Sequence, residues 1–304
     1  MNRELALKVA DAVLYEGYML YPYRRSALKN RQHWTFGILY PPDYEEVRLG
    51  TERCSLHSEC LLKAPDECNV DLQLRFLQLV RERNRDETED SESQMWDESI
   101  ARSVEFHVTL NSKPHRFPFC SAESDVVSTG RPLHGGVIIS METIADDLQK
   151  LTIDVMNETS FANGADRDTA LFASLLSAHL ILTANGGEFI SLLDPPPKLR
   201  AHAGACKNVG NFPVLIGVEG EHDMMLCSPI ILYDYPQVAP ESAGDFFDAT
   251  EMDEILTLRV MTLTDQEKEE IQSAGEHVRN LLERTERTAR EQLMKTHGTT
   301  RGLG

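Results

Sequence analysis

Short runs in which every second residue is apolar recur along this chain, and they restrict its fold more than any other feature. Trp34, Phe36, Ile38 and Tyr40 alternate; Cys54, Leu56, Ser58, Cys60 and Leu62 hold one phase; Leu72, Leu74 and Phe76 hold another. The pattern returns at Val104, Phe106, Val108 and Leu110, at Val137, Ile139 and Met141, and at Leu151, Ile153 and Val155. Successive side chains on a strand point to opposite faces, so a period of two gathers each run on one buried face. The runs are joined by Pro, Gly and Asn signals such as Pro41-Pro42, which predicts antiparallel pairing in a sandwich or open barrel. After Phe76 the apolar phase switches to Leu77 and Leu79, as a bulge or a two-sided strand requires.

Other tracts read differently. Residues 2 to 20 have loose helical spacing, with Leu5, Leu7, Val9, Ala12, Val13 and Leu14 as the apolar set, until Gly17 intervenes. Asp166 to Ser177 predicts a helix with Leu171, Leu175 and Leu176 on one stripe. Asn185-Gly186-Gly187 can close a tight hairpin between strands near 179 to 184 and 188 to 193. A short helix over Arg200 to Cys206 and strands at Pro213 to Val218 and Met224 to Tyr233 follow. Thr264 with Glu267 forms a capping box and Thr250 with Asp253 an acidic approximation of one, so helices should start at both. Residues 266 to 295 are strongly charged, with Ile271, Val278, Leu281 and Leu282 as a narrow apolar seam. The reading is an α+β fold. An antiparallel β-rich body with peripheral helices covers 1–265, and a long C-terminal helix and disordered tail cover 266–304. Within the body, residues 84 to 94 (NRDETEDSESQ) hold no apolar side chain and predict a flexible acidic insert.

With 49 acidic and 30 basic side chains the formal charge is −19, which opposes nonspecific attraction to phosphate backbones and anionic lipid. No segment reads as a secretory signal, and no apolar run reaches the roughly 20 residues that cross a bilayer. A cytoplasmic location is therefore expected, and with it six free thiols at Cys54, Cys60, Cys68, Cys120, Cys206 and Cys227. The tract Tyr21 to Arg31 reverses the sign locally. Its simple reading is a solvated loop or helix face that balances an acidic body; the alternative is a partner site in which Tyr21, Tyr23, Arg24, Arg25, Lys29 and Arg31, with Trp34 close behind, supply aromatic and guanidinium anchors.

Reactive groups are sparse. Cys54, His57, Cys60 and Cys68 form the one cluster with enough soft ligands for zinc, nickel or iron. On a strand, however, Cys54 and Cys60 share a face that His57 does not, and the spacing lacks the paired C-x2-C knuckles of zinc ribbons. His179 beside leucines reads as a hydrogen-bonded core residue, and His107 as a solvent-facing one. Lys207 beside Cys206 would activate the thiol if the two side chains met. Glu241, Asp245, Asp248, Glu251, Asp253 and Glu254 suit a helix start better than a calcium loop, because Gly244 precedes most of the carboxylates. No nucleophile elbow, phosphate loop, zincin helix or dinucleotide fingerprint occurs. No catalytic residue and no cofactor is predicted.

Four long tracts carry a resemblance: residues 14–37 (LYEGYMLYPYRRSALKNRQHWTFG), 186–197 (GGEFISLLDPPP), 206–217 (CKNVGNFPVLIG) and 228–268, which begins SPIILYDYPQVAPESAGDFFDATEMDEIL. In these the chain resembles a bacterial protein family of unassigned activity, commonly encoded beside structural and maturation genes of nickel–iron hydrogenases. The resemblance implies a non-catalytic accessory protein of hydrogenase assembly or hydrogen metabolism. It would act as a scaffold or chaperone by contact with a hydrogenase subunit or maturation protein. The alternative in the same pathway is a metal carrier or enzyme using Cys54, Cys60 and Cys68. The resemblance assigns no site residues.

Overall fold

The period-two runs become the inward faces of two sheets. In this computed structural model the described residues are 2–16, 36–65, 68–82, 96–110, 113–121, 131–162 and 164–237. All of them fall in one compact unit that ends at Gln237. In chain order the elements begin with helices α1 (Asn2–Glu16) and α2 (Glu45–Arg48), followed by strands β1 (Ser55–Lys63), β2 (Cys68–Glu82) and β3 (Trp96–Leu110). Next come β4 (His115–Cys120), β5 (His134–Ala145), β6 (Leu148–Asn157) and helix α3 (Arg167–Leu171). The set closes with β7 (Leu176–Asn185), β8 (Glu188–Ile190), helix α4 (Arg200–Ala205), β9 (Phe212–Leu215) and β10 (Met224–Ser228).

One sheet has the strand order β4-β5-β6-β1-β8 and the other β3-β2-β7-β10-β9. Every pairing between named strands is antiparallel. Leu56, Cys60 and Leu62 of β1 and Ile153 and Val155 of β6 share one core cluster with Leu72, Leu74 and Phe76 of β2 and Leu180 and Leu182 of β7. The cluster draws on both sheets, so the body is a sandwich. Each fully buried Leu or Phe contributes about 1.5–3 kcal/mol, and this interior is the main source of stability.

Each outer face carries a helix. Ala6, Val9, Ala10 and Val13 of α1 cover Ile181, Val214, Ile216, Met224 and Leu226 on the β7-β10-β9 side. Ala203 of α4 packs with Leu61, Leu148 and Ile190 on the other sheet. This explains why Leu61 is buried although it lies off the inward phase of β1.

The phase switch after Phe76 is a register shift between Arg75 and Leu77 in the β2–β7 pairing. Leu77, Leu79 and Val80 are all buried there, on both faces of the strand. Other expectations are corrected. Over 36–40 there is no strand, only an isolated bridge between Leu39 and Leu175. Gly37 has positive φ and sits so close to Pro229 that a Cβ would meet its ring at 2.7 Å, which turns the chain out of extended geometry. The helix after Asp166 ends at Leu171, because Leu175 bonds Leu39 and β7 begins at Leu176. The Asn185-Gly186-Gly187 turn joins strands of different sheets: β7 pairs with β2 and β10, whereas β8 pairs with β1. Gly187 passes Ala64 and Leu62 so closely that a Cβ would lie 3.1 Å from each. β10 stops at Ser228, short of Tyr233. β4 contains Pro118, a residue tolerated there because β4 is an edge strand.

The insert at 84–94, the two capping signals, the acidic group from Glu241 and the 266–295 helix lie outside the described residues. No helix among the described residues is long and apolar enough to cross a membrane.

Candidate functional site

Residues 186–197, 206–217 and the described part of 228–268 meet at one corner of the sandwich, and polar side chains hold them there. Asp234 accepts from the hydroxyl of Ser191 through Oδ2 and from the backbone N–H of Leu215 at 2.8 Å through Oδ1. Ser191 Oγ accepts in turn from the N–H groups of Leu193, at 3.1 Å, and Asp194, at 2.8 Å. Tyr235 adds two bonds: its N–H donates to Leu215 O at 2.7 Å and its hydroxyl to Glu221 O at 2.9 Å. Local chemistry accounts for the turn at Ser191, whose hydroxyl binds amides two and three residues on. Leu215 has both backbone groups engaged by the 234–235 segment, which shields the outer edge of β9.

The 206–217 tract ties the two sheets together. His57 and Val209 exchange backbone hydrogen bonds of 3.0 and 2.9 Å. Asn208 accepts from Glu59 N at 2.9 Å and donates to Glu59 O at 3.2 Å, reproducing with its amide what another strand would supply. Buried Asn211 accepts from Ser58 Oγ at 2.7 Å and donates to His57 O at 3.0 Å. The chain then enters β9, in the opposite sheet.

Large apolar side chains stand exposed around this corner. Ile231 is 76% and Tyr233 86% exposed, and Leu193 and Phe212 are about half exposed. Each lies within three residues of Asp234, Ser191 or Leu215. A set of rigid aromatic and aliphatic anchors on a fixed frame is what a protein-binding surface requires.

On the outer face of the β1 sheet, His57 Nδ1 lies 2.7 Å from Asp154 and its Nε2 3.9 Å from Glu59. Lys150 reaches Glu59 at 3.5 Å and Glu142 at 3.2 Å. Glu142 and then Glu59 raise the lysine pKa, so it stays a cation and balances the strip. These charges satisfy one another.

The predicted ligand cluster is not brought together. Cys60 points into the core from β1, Cys68 into the core from β2 in the other sheet, and His57 outward. Cys54 precedes β1 and is half-buried. Among the described residues no three His, Cys, Asp or Glu side chains converge as metal ligands. Burial pushes the Cys60 thiol well above its ordinary range, Cys68 upward, and Cys227 to about 12. Cys206 moves up to about 11, through burial first and Glu59 second, so Lys207 does not activate it. Thiolate character, the source of thiol reactivity, is suppressed at all four.

His179 is fully buried beneath α1. Its Nδ1 donates to Ser177 O at 2.8 Å, and burial lowers its pKa to about 3, so the ring is neutral. Its cross-strand neighbour Arg75 bonds Asp11 of α1 through Nη2. Tyr21, Tyr23, Arg24, Arg25, Lys29, Arg31 and Trp34 lie outside the described residues. The anchors at Leu193, Phe212, Ile231 and Tyr233 were not singled out from sequence, although each lies in one of the tracts that carry the resemblance.

No protein-family model matches the chain, and no curated protein shows a significant match to it.

Proposed function

We propose that this chain is a non-catalytic accessory protein of nickel–iron hydrogenase assembly, working by contact with a hydrogenase subunit or a maturation protein. One observation carries the reading. The described parts of three of the four tracts on which the resemblance rests converge on the Asp234–Ser191–Leu215 node, and Ile231 and Tyr233 beside Asp234 stand out into solvent. Residues spent on fixing exposed anchors serve recognition better than they serve stability, because an exposed Tyr or Ile adds little to the core. The basic and aromatic Tyr21–Arg31 tract supplies residue types suited to the same kind of partner.

The test is affinity capture with the full chain from cells expressing a nickel–iron hydrogenase operon. Wild type should recover a hydrogenase subunit or maturation protein. The double substitution Ile231→Ser and Tyr233→Ser should lower that recovery about tenfold or more while leaving the thermal midpoint unchanged. Recovery of neither class of protein by wild type refutes the proposal, and so does full recovery by the double variant.

A further inference from the structure

The four edges of the two sheets are unequally protected. β8 is three residues long; β9 is four residues long, and Leu215 within it is already bonded to Asp234 and Tyr235. β4 carries Pro118, which offers no N–H. β3, by contrast, runs for 15 residues without Pro or Gly, and among the described residues no strand pairs with its outer side. Val104 and Phe106 face the core and yet are only partly buried, as happens where a sheet stops before covering its own interior.

We propose that β3 pairs antiparallel with β3 of a second copy of this chain, about a two-fold axis through Phe106. Symmetric pairing keeps like faces together only when opposed residues are of the same parity, which leaves few registers to compare. With Phe106 at the axis, Phe106 meets its own twin and Val104 meets Val108 of the second copy. On the outer face Ser103 meets Thr109 and Glu105 meets His107, each pair occurring twice by symmetry. Aromatic, β-branched, hydroxyl and opposite-charge pairs are the four kinds that stabilise cross-strand positions. An axis at Val104 instead sets Phe106 against Arg102 and Glu105 against Ser103, and an axis at Val108 separates Glu105 from His107 altogether. Asp71 engages His107 through Nδ1 at 2.7 Å, which leaves Nε2 for Glu105 of the second copy. Glu105 is held by Gln73 at 3.1 Å and Arg3 at 3.3 Å, so both outer-face partners are positioned in advance. The product is a continuous ten-stranded sheet, and the long edge left open among the described residues is closed.

Sedimentation equilibrium of the full chain reads the assembly, and oxidative cross-linking reads the register. In a Cys120→Ser background, Phe106→Cys should link to itself, since only the residue on the axis meets its own copy. The exposed pair Glu105→Cys with His107→Cys should also link, and it serves if the first variant folds poorly. Ser103→Cys alone should not, because its two copies would stand about 20 Å apart. His107→Glu, which opposes like charges twice, should weaken the dimer about tenfold or more. A monomer overturns the proposal. Amide exchange then tells whether the edge is covered by the chain's own residues, if β3 is protected, or is open to a different partner, if it is not. A dimer that links through Ser103→Cys and not through Phe106→Cys overturns it equally.

Discussion

His179 and His107 project from the same outer face of one sheet, on either side of β2, yet the protein treats them oppositely. His179, under α1, is stripped of water and held neutral, with its pKa lowered to about 3. His107, beyond the reach of the helix, stands in solvent, and its hydrogen bond to Asp71 raises its pKa. The strand supplies the same geometry to both. The difference is made by the helix that lies over one of them, so desolvation decides the first case and a single charged neighbour the second.

The largest effect should follow from His179. Its folded pKa lies below the unfolded value of about 6.5. The stability tied to the neutral ring is therefore complete above that value and is lost as pH falls toward 3. The full window corresponds to roughly 5 kcal/mol. Urea denaturation between pH 7 and 4 should show this decline, and His179→Gln should flatten it. An unchanged slope in the variant would mean that α1 does not seal the ring. Protonation would also place a cation beside Arg75, whose guanidinium already disfavours it.

The comparison can be broken directly by lifting the helix. Ala10 is fully buried in the seat of α1. Ala10→Glu should cost about 3 kcal/mol, since an unpaired charge would enter an apolar contact. NMR titration should then find His179 closer to an ordinary histidine. If it stays near 3 with the helix displaced, burial is not the cause.

A middle-sized effect tests the sutures at the corner. Asn211→Ala leaves Ser58 without its acceptor, in a site closed to water, and removes one of the two donors to the His57 carbonyl, which keeps the Val209 N–H. The expected loss is about 1–3 kcal/mol, read from the urea midpoint at constant m-value. The smallest effect belongs to His107→Ala. It should leave the denaturation midpoint within error while the Asp71 pKa rises, since His107 is the first cause of its lowering. The stability that His107 does contribute is present at low pH and fades as pH rises through its raised value.

The strands were legible wherever burial was one-sided. The phases of Leu56 to Leu62, Val137 to Met141 and Leu151 to Val155 show up in the structure as inward-facing sets, and the break after Phe76 as a register shift. Reading failed where a long-range partner overrode a local signal. Asn185-Gly186-Gly187 is an ordinary hairpin turn in isolation, but Phe189 and Ile190 find their partners on β1 and not on β7. Leu175 and Leu176 extend a helical stripe until Leu39 and β2 offer backbone bonds. The functional corner was less legible still. Serine, aspartate and asparagine read as loop residues, and nothing local reveals that Asp234 will reach Ser191 and Leu215, 43 and 19 residues away.

What the residues determine by themselves is which side chains travel together: the apolar sets of β1, β5 and β6, the Asp166 cap and the charge balance of −19. These depend on chain geometry within a few residues, where the period of two and the cap distance operate. Tertiary structure alone decided which strands share a sheet, which thiols face the interior, and which of two histidines loses its water. Those outcomes depend on what lies on the far side of a surface, and desolvation is set by neighbours that the local pattern does not contain.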